Sequence, residues 1–366
     1  MSETADVVIV GAGIVGSTIA RALARAGRRV RVLEKSIPGA EASSVAAGIL
    51  APLVEHDAGP LRALGVRSRE QYAQLAPILA AETGIDIGFV RSGVMRVALD
   101  APQAAALHVP EGTEAKRLDG DEARRREPGL SPAVVAAIDL PLEAQVEAPR
   151  VLRAMVASAE RAGAHFTSGA AVRGLVHRGG RVIGVDTDQG EVHAEHVVVA
   201  AGAWTSLVPG LPSIYARAVR PVRGQVVRAE LRASLARRIV FAEGVYVVPR
   251  PDGRVVLGAT MEEVGFSKEN TIGGVARLTS AATHVLPALA DARFVEADVS
   301  FRPASSDGLP LLGPAGPDGL WLAAGHFRNG ILLAPVTGEI LAAQITGEKL
   351  DLDAAPFDPR RLEKST

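Results

Sequence analysis

The residues with the most chemical reach in this 366-residue sequence are glycines and small side chains set between apolar runs. Gly11, Gly13 and Gly16 follow the run Asp6-Val-Val-Ile-Val10 at G-x-G-x-x-G spacing. That order reads as a buried strand entering a tight turn and then a helix. Gly11 permits the turn, Gly13 lets a pyrophosphate approach the backbone, and Gly16 lets the helix press on the strand. The free N–H groups of the first helical turn, at Ile14 and Val15, would face the phosphates. A second apolar strand, Val30 to Leu33, ends in Glu34 and Lys35, about 20 positions on, where an acidic side chain binds a ribose 2′-hydroxyl. Together these form a dinucleotide-holding βαβ unit. Taken alone, the glycines could make only a tight turn and Glu34 a solvated strand end.

Other stretches deliver small residues toward the same kind of ligand. The segment after Lys35 is crowded with Ser43, Ser44, Ala46, Ala47, Gly48 and Ile49. Small side chains there allow close approach to a flat ring system and its phosphates. The same letters also suit an Ala-rich helix start capped by Ser43 or Ser44. The run His196-Val-Val-Val-Ala-Ala-Gly-Ala-Trp204 repeats the opening logic, a buried strand ending at Ala201, Gly202 and Trp204, with Val172 in the strands before it. Near the C-terminus Gly325-His-Phe-Arg-Asn-Gly330 leads into an apolar helix from Ile331 to Ile345, whose N-terminal dipole favours negative charge nearby.

The elements that must position these residues alternate in character. Helical spacing from Leu61 to Thr83 is followed by two short runs, Ile85–Val90 and Gly93–Ala98, that read as a strand pair. The charged stretch around Asp119 to Glu127 reads as a short exposed helix. Residues from Pro149 to Gly163 form an amphipathic helix, followed by a hairpin turning at Gly179-Gly180. A strand-rich block from Val219 to Gly258 contains a hairpin at Pro251-Asp-Gly253, and Gly273 to Leu289 returns to helix. The expected fold is α/β: a Rossmann-like dinucleotide domain (1–84, 148–215 and 300–366) interrupted by an α+β domain with an antiparallel sheet (85–147 and 216–299).

Composition narrows the function classes. A net charge of −1 argues against nucleic acid or an anionic membrane as partner. With no cysteine there are no disulfides, thiolate metal sites or links from cysteine sulfur to a cofactor. The histidines show no metal-ligand spacing. The expectation is a cytoplasmic protein without a leader, membrane span or metal.

Read together, Ser44-Val-Ala-Ala-Gly-Ile-Leu50, Val198-Val-Ala-Ala-Gly-Ala-Trp204, Tyr246-Val-Val-Pro-Arg250, Gly258-Ala-Thr-Met261, Arg302-Pro with Asp307-Gly308, and Gly325 to Pro335 resemble the D-amino-acid oxidase family of FAD-dependent amine oxidoreductases, most closely its glycine oxidases. The resemblance spans Asp6 to about Ile345. It implies non-covalent FAD, bound by the glycine-rich and small-residue stretches above together with His326, Phe327, Arg328, Asn329, Gly330 and Ile331. It also implies hydride transfer from substrate Cα to flavin N5, with O2 as acceptor and H2O2 as product. Arg302 would clamp the substrate carboxylate, a task its planar fork suits better than lysine. Tyr246 would bind the same carboxylate, Arg328 would lie against flavin or substrate, and Ile49 and Met261 would wall the pocket. By position alone Arg302 reads as a surface or domain-bridging ion pair, Tyr246 as core edge, and Ile49 and Met261 as core. His326 would neighbour the flavin without acid–base work.

Departures from relatives at Gly244, Val245 and Ala51 to Val54 leave glycine, sarcosine, N-alkylglycines and small D-amino acids open as substrates. The resemblance further implies a homo-oligomer, dimer or tetramer, and a role in thiamine thiazole synthesis. Two rivals stand beside this reading: a dehydrogenase passing electrons to another carrier, and a flavin-binding protein without catalysis.

Overall fold

The computed structural model describes residues 5–55, 58–232 and 236–365. Its first sheet is built on the opening strand Ala5–Val10, which pairs in parallel with Val30–Glu34 on one side and Gly190–Val199 on the other. His165–Ser168 and Leu320–Ala324 extend the parallel run outward, and Leu311–Pro314 adds an antiparallel edge. The β-branched residues suit this central position because both faces are covered. Val7 and Ile9 enter one core, packed by the helices Ile14–Arg25, Pro60–Thr83, Ala148–Arg161 and Gly330–Thr346. Val8 and Val10 enter a second core, under the hairpin Val172–Arg178 and Arg181–Thr187.

The second sheet has the strand order 293–305, 219–230, 254–258, 245–249, 239–242, 94–98, 136–140 and 116–119. It is antiparallel except where Ile239–Ala242 meets Val94–Ala98. One face packs Val227, Val247 and Leu257 against the helix Ile272–Val285. The other carries Val226, Tyr246, Val248 and Val256 toward Ala47, Ile49 and Ala51. This second face roofs the end of the first sheet.

Two strands differ from the sequence expectation. Ile85–Val90 is not a strand; only Val90 bridges to Gln145, while Gly88 lies at φ +65° and its N–H bonds the Asp86 side chain. Its apolar letters mark a connection pinned at one point, with Ile87 fully enclosed while Asp86 and Val90 are exposed. In addition, the strand Arg293–Ser305 runs unbroken through position 300, where a domain boundary was expected. It pairs with Val219–Glu230 from Val219↔Ser305 to Glu230↔Arg293. Among the described residues no helix is long and apolar enough to cross a membrane.

Candidate active site

A cavity of about 390 Å³ runs between the end of the first sheet and the roof. Its floor is the glycine turn. Gly11 has φ +104°, and a Cβ there would meet the Ala200 carbonyl oxygen at 2.6 Å. Gly16 stands behind the wall: its Cβ would lie 2.0 Å from the Gly11 oxygen, so its absence lets helix and turn touch. The Ile14 N–H donates to Ser43 Oγ at 3.0 Å, placing a hydroxyl where an anion would meet the helix start. Glu34 accepts the Ala12 N–H at 3.0 Å through one oxygen and the Ser36 N–H at 3.0 Å through the other, so it braces the turn from the second strand. Lys35 lies 3.9 Å from the centre of the Trp204 ring, a cation–π contact at the cavity wall.

The small-residue segment forms one side. Ala46, Ala47, Gly48 and Ile49 line the cavity, with Gly48 at φ +77° and its Cβ site taken by the Val146 carbonyl oxygen at 1.9 Å. Arginines reaching down from the roof hold its carbonyls: Arg250 Nη2 donates to Ala47 O at 2.6 Å and Arg228 Nη2 to Ser44 O at 3.2 Å. Burial pulls Arg250 down to about 10, which leaves it charged at neutral pH. Ser44, expected at the cofactor, instead turns its hydroxyl to the Glu41 carbonyl at 3.0 Å and does not line the cavity.

The roof carries the polar groups. Tyr246 pairs across the ladder with Gly258, and a Cβ on Gly258 would fall 2.4 Å from the tyrosine hydroxyl oxygen. The ring therefore lies flat over the glycine. Arg302 does the same over Gly224, whose Cβ would fall 2.3 to 2.6 Å from the guanidinium atoms. Arg302 Nη1 donates to Thr260 O at 3.0 Å, and Thr260 is fixed in turn by the Gln225 backbone. Met261, expected as a pocket wall, is 63% exposed and faces away from the cavity. The reason lies beside it, where Thr260 and Glu262 both pair with the strand 219–230 and leave the residue between them pointing out.

The C-terminal bend closes the far end. Phe327 takes φ +49°, the one non-glycine residue at positive φ among those described, and turns the chain into the helix Gly330–Thr346. His326, Phe327, Arg328, Asn329, Gly330 and Ile331 all line the cavity. Asn329 precedes the helix without a side-chain cap, and Gly330 and Ile331 bring the first helical turn to the cavity. His326 is buried, 3.0 Å from Thr337 Oγ1, and desolvation pulls its pKa down to about 4. It is neutral at physiological pH and bonded away from proton-transfer work.

Ile14, Val15, Val172, Ala201, Gly202 and Trp204 also line this cavity. A glycine floor, a hydroxyl at a helix N-terminus and the first turn of a second helix suit an elongated dinucleotide. A family model described as FAD dependent oxidoreductase matches residues 6–344. The chain is an FAD-dependent oxidoreductase of the D-amino-acid oxidase family.

It is 37% identical to the glycine oxidase of Pseudomonas aeruginosa over 98% of this chain and 99% of that one. The crystal structure of glycine oxidase from Geobacillus kaustophilus superposes with a TM-score of 0.92 at 35% identity, covering 98% of this chain and 99% of the other. The bifunctional protein ThiO/ThiG of Trichormus variabilis is 36% identical over 99% of this chain. The chain spans about half the length of that relative, 56%.

Gly224, Val226, Ser300 and Phe301 line the oxidoreductase's cavity without having been singled out in the sequence. Gly224 did carry a signal, since a lone glycine inside a strand pattern marks close approach of another group.

Proposed function

We propose that this oxidoreductase oxidises glycine or a related small amino acid, among sarcosine, N-alkylglycines and small D-amino acids, to the imine. O2 accepts the electrons and leaves as H2O2, and hydrolysis of the imine gives ammonia or an amine and a 2-oxo acid. The observation that carries this reading is the placement of Arg302 and Tyr246 on one roof face, each laid across a glycine, opposite the floor that suits FAD. Identity over whole chains with glycine oxidases supports it, and the ThiO/ThiG relatives support a supply of imine to thiamine thiazole synthesis.

FAD, when bound, supplies the hydride acceptor. Gly11, Gly13, Ser43, Glu34 and the amides after Gly330 hold it; Arg302 takes the substrate carboxylate in a fork, and the Tyr246 hydroxyl donates to the same group. The apolar walls around Ile49 and Val226 keep water from the reacting carbon. No side-chain base takes part: His326 is neutral and occupied by Thr337, so the substrate amine loses its proton to solvent before reaction. Arg328 closes the cavity at the bend. The assignment extends to a cytoplasmic homo-oligomer whose FAD domain comprises 1–84, 148–215 and the chain from near 300 onward, with the remainder roofing it.

Mixing the FAD-loaded protein with glycine, sarcosine and D-alanine without oxygen is the test. Bleaching of the flavin absorption, followed by oxygen uptake on aeration, is expected. Bleaching without oxygen uptake would reassign the protein as a dehydrogenase, and no bleaching by any of the three would overturn the reading.

A further inference from the structure

Ser300 is 5% exposed, its hydroxyl is buried, and Oγ has no hydrogen-bond partner. The other buried side-chain atoms without a partner among the described residues belong to Gln71, Ser305 and Gln344, none of which lines the cavity; Ser300 does. A buried hydroxyl left unpaired is less stable than alanine at the same place, so its presence in a cavity wall points to a ligand atom that completes it.

The strand register says which ligand atom. Ser300 and Arg302 are two apart on the strand Arg293–Ser305, so their side chains share a face. Ser300 stands directly across from Gly224, and Arg302 across from Val222. Yet the Arg302 guanidinium lies over Gly224, not over its own ladder partner. The side chain has therefore folded back along the strand into the row that Ser300 occupies. In the next row Val226 faces Gly258, over which the Tyr246 hydroxyl lies. Ser300 Oγ thus lies in the row of the Arg302 guanidinium, beside the group that the proposed reading gives to the substrate carboxylate, with the Tyr246 hydroxyl one strand further on at the other side of that guanidinium.

We propose that Ser300 is a third carboxylate-binding residue, its Oγ–H donating to a carboxylate oxygen held by Arg302. This rests on the reading of Arg302 as the clamp. A hydroxyl donor here completes its own hydrogen bond only when an acceptor anion arrives. Ser300 then strengthens the binding of carboxylates without contributing to the hold on FAD.

Equilibrium titration of the FAD-loaded protein with acetate, read from the flavin spectrum, tests this in Ser300→Ala, Ser300→Gly and Arg302→Ala. Both Ser300 variants are expected to weaken acetate binding by about tenfold or more, in the range of a hydrogen bond to a charged group. Their FAD affinity should be unchanged, and the melting temperature without acetate unchanged or raised. Acetate binding that is unaltered in both variants, or a weakened hold on FAD, overturns the assignment. If Arg302→Ala abolishes acetate binding while the Ser300 variants do not change it, Ser300 alone is wrong; if Arg302→Ala also binds acetate normally, the clamp reading fails with it.

Discussion

At the scale of single residues, the site depends on charge and desolvation at a few atoms. Arg302→Ala is expected to lower kcat/KM for glycine about a hundredfold or more with FAD still bound, since two charge-assisted hydrogen bonds go together. Arg302→Lys should recover little, because an ammonium cannot reproduce the fork. Steady-state kinetics beside the flavin spectrum checks both. His326 makes a different prediction. Burial keeps its ring neutral down to about pH 4, whereas in the unfolded chain it protonates near 6.5. Below 6.5 the unfolded state binds the additional proton. The His326 contribution to stability is therefore full above that pH and is lost as pH falls toward 4, by up to about 3 kcal/mol. Urea unfolding at pH 7 and pH 4.5 should show this loss shrink in His326→Gln, while the activity profile above pH 7 keeps its shape.

At the scale of elements, two roof strands keep a side chain off one residue so that a neighbour's can lie across it. Gly224→Ala would place a Cβ 2.3 Å from Arg302 Nη1, and Gly258→Ala would place one 2.4 Å from Tyr246 Cζ. A displaced guanidinium end moves cheaply, so Gly224→Ala is expected to keep its melting temperature within a few degrees yet lose about tenfold or more in acetate affinity. A loss of folded protein instead would show that the glycine serves packing. Gly16→Ala acts on the other element pair. Its Cβ would meet the Gly11 carbonyl, which is backbone and cannot yield. We expect that variant to lose FAD on gel filtration, because helix and turn must separate.

At the scale of the whole molecule, the cavity lies where the two sheets meet, so ligand and fold are coupled. Arg250 and Arg228 tie roof strands to the carbonyls of Ser44 and Ala47. The long strand 219–230 starts in the core of the first sheet at Val219, which pairs with Ser305 at the end of the strand 293–305. FAD filling the space between should raise the stability of the entire chain by RT ln(1 + [FAD]/Kd), about 2.7 kcal/mol at a hundredfold excess over Kd. Thermal melts at increasing FAD check this, and a melting temperature independent of FAD concentration would contradict a site that bridges both sheets.

Local signals carried much of this design in the sequence. The G-x-G-x-x-G turn, the strand ending in Glu34 and the bend before Ile331 are set by near neighbours, since glycine conformation and β-branched runs act over a few residues. The family motifs extended this to Arg302 and Tyr246. What the letters did not determine is which way side chains turn once strands pair. Met261 reads as pocket and faces out because Thr260 and Glu262 are both bound to a strand some 40 positions earlier. Ile85–Val90 reads as strand and is an irregular connection, since its backbone meets the rest of the chain only at single points, Glu147 N–H on the Ile87 carbonyl and the bridge at Val90, and not in a ladder. Gly224 and Ser300 gain their meaning only from the register that sets them opposite each other, with the Arg302 guanidinium lying across Gly224. Composition and short-range spacing decide what a turn or strand is; pairing between segments far apart in the chain decides what its side chains meet.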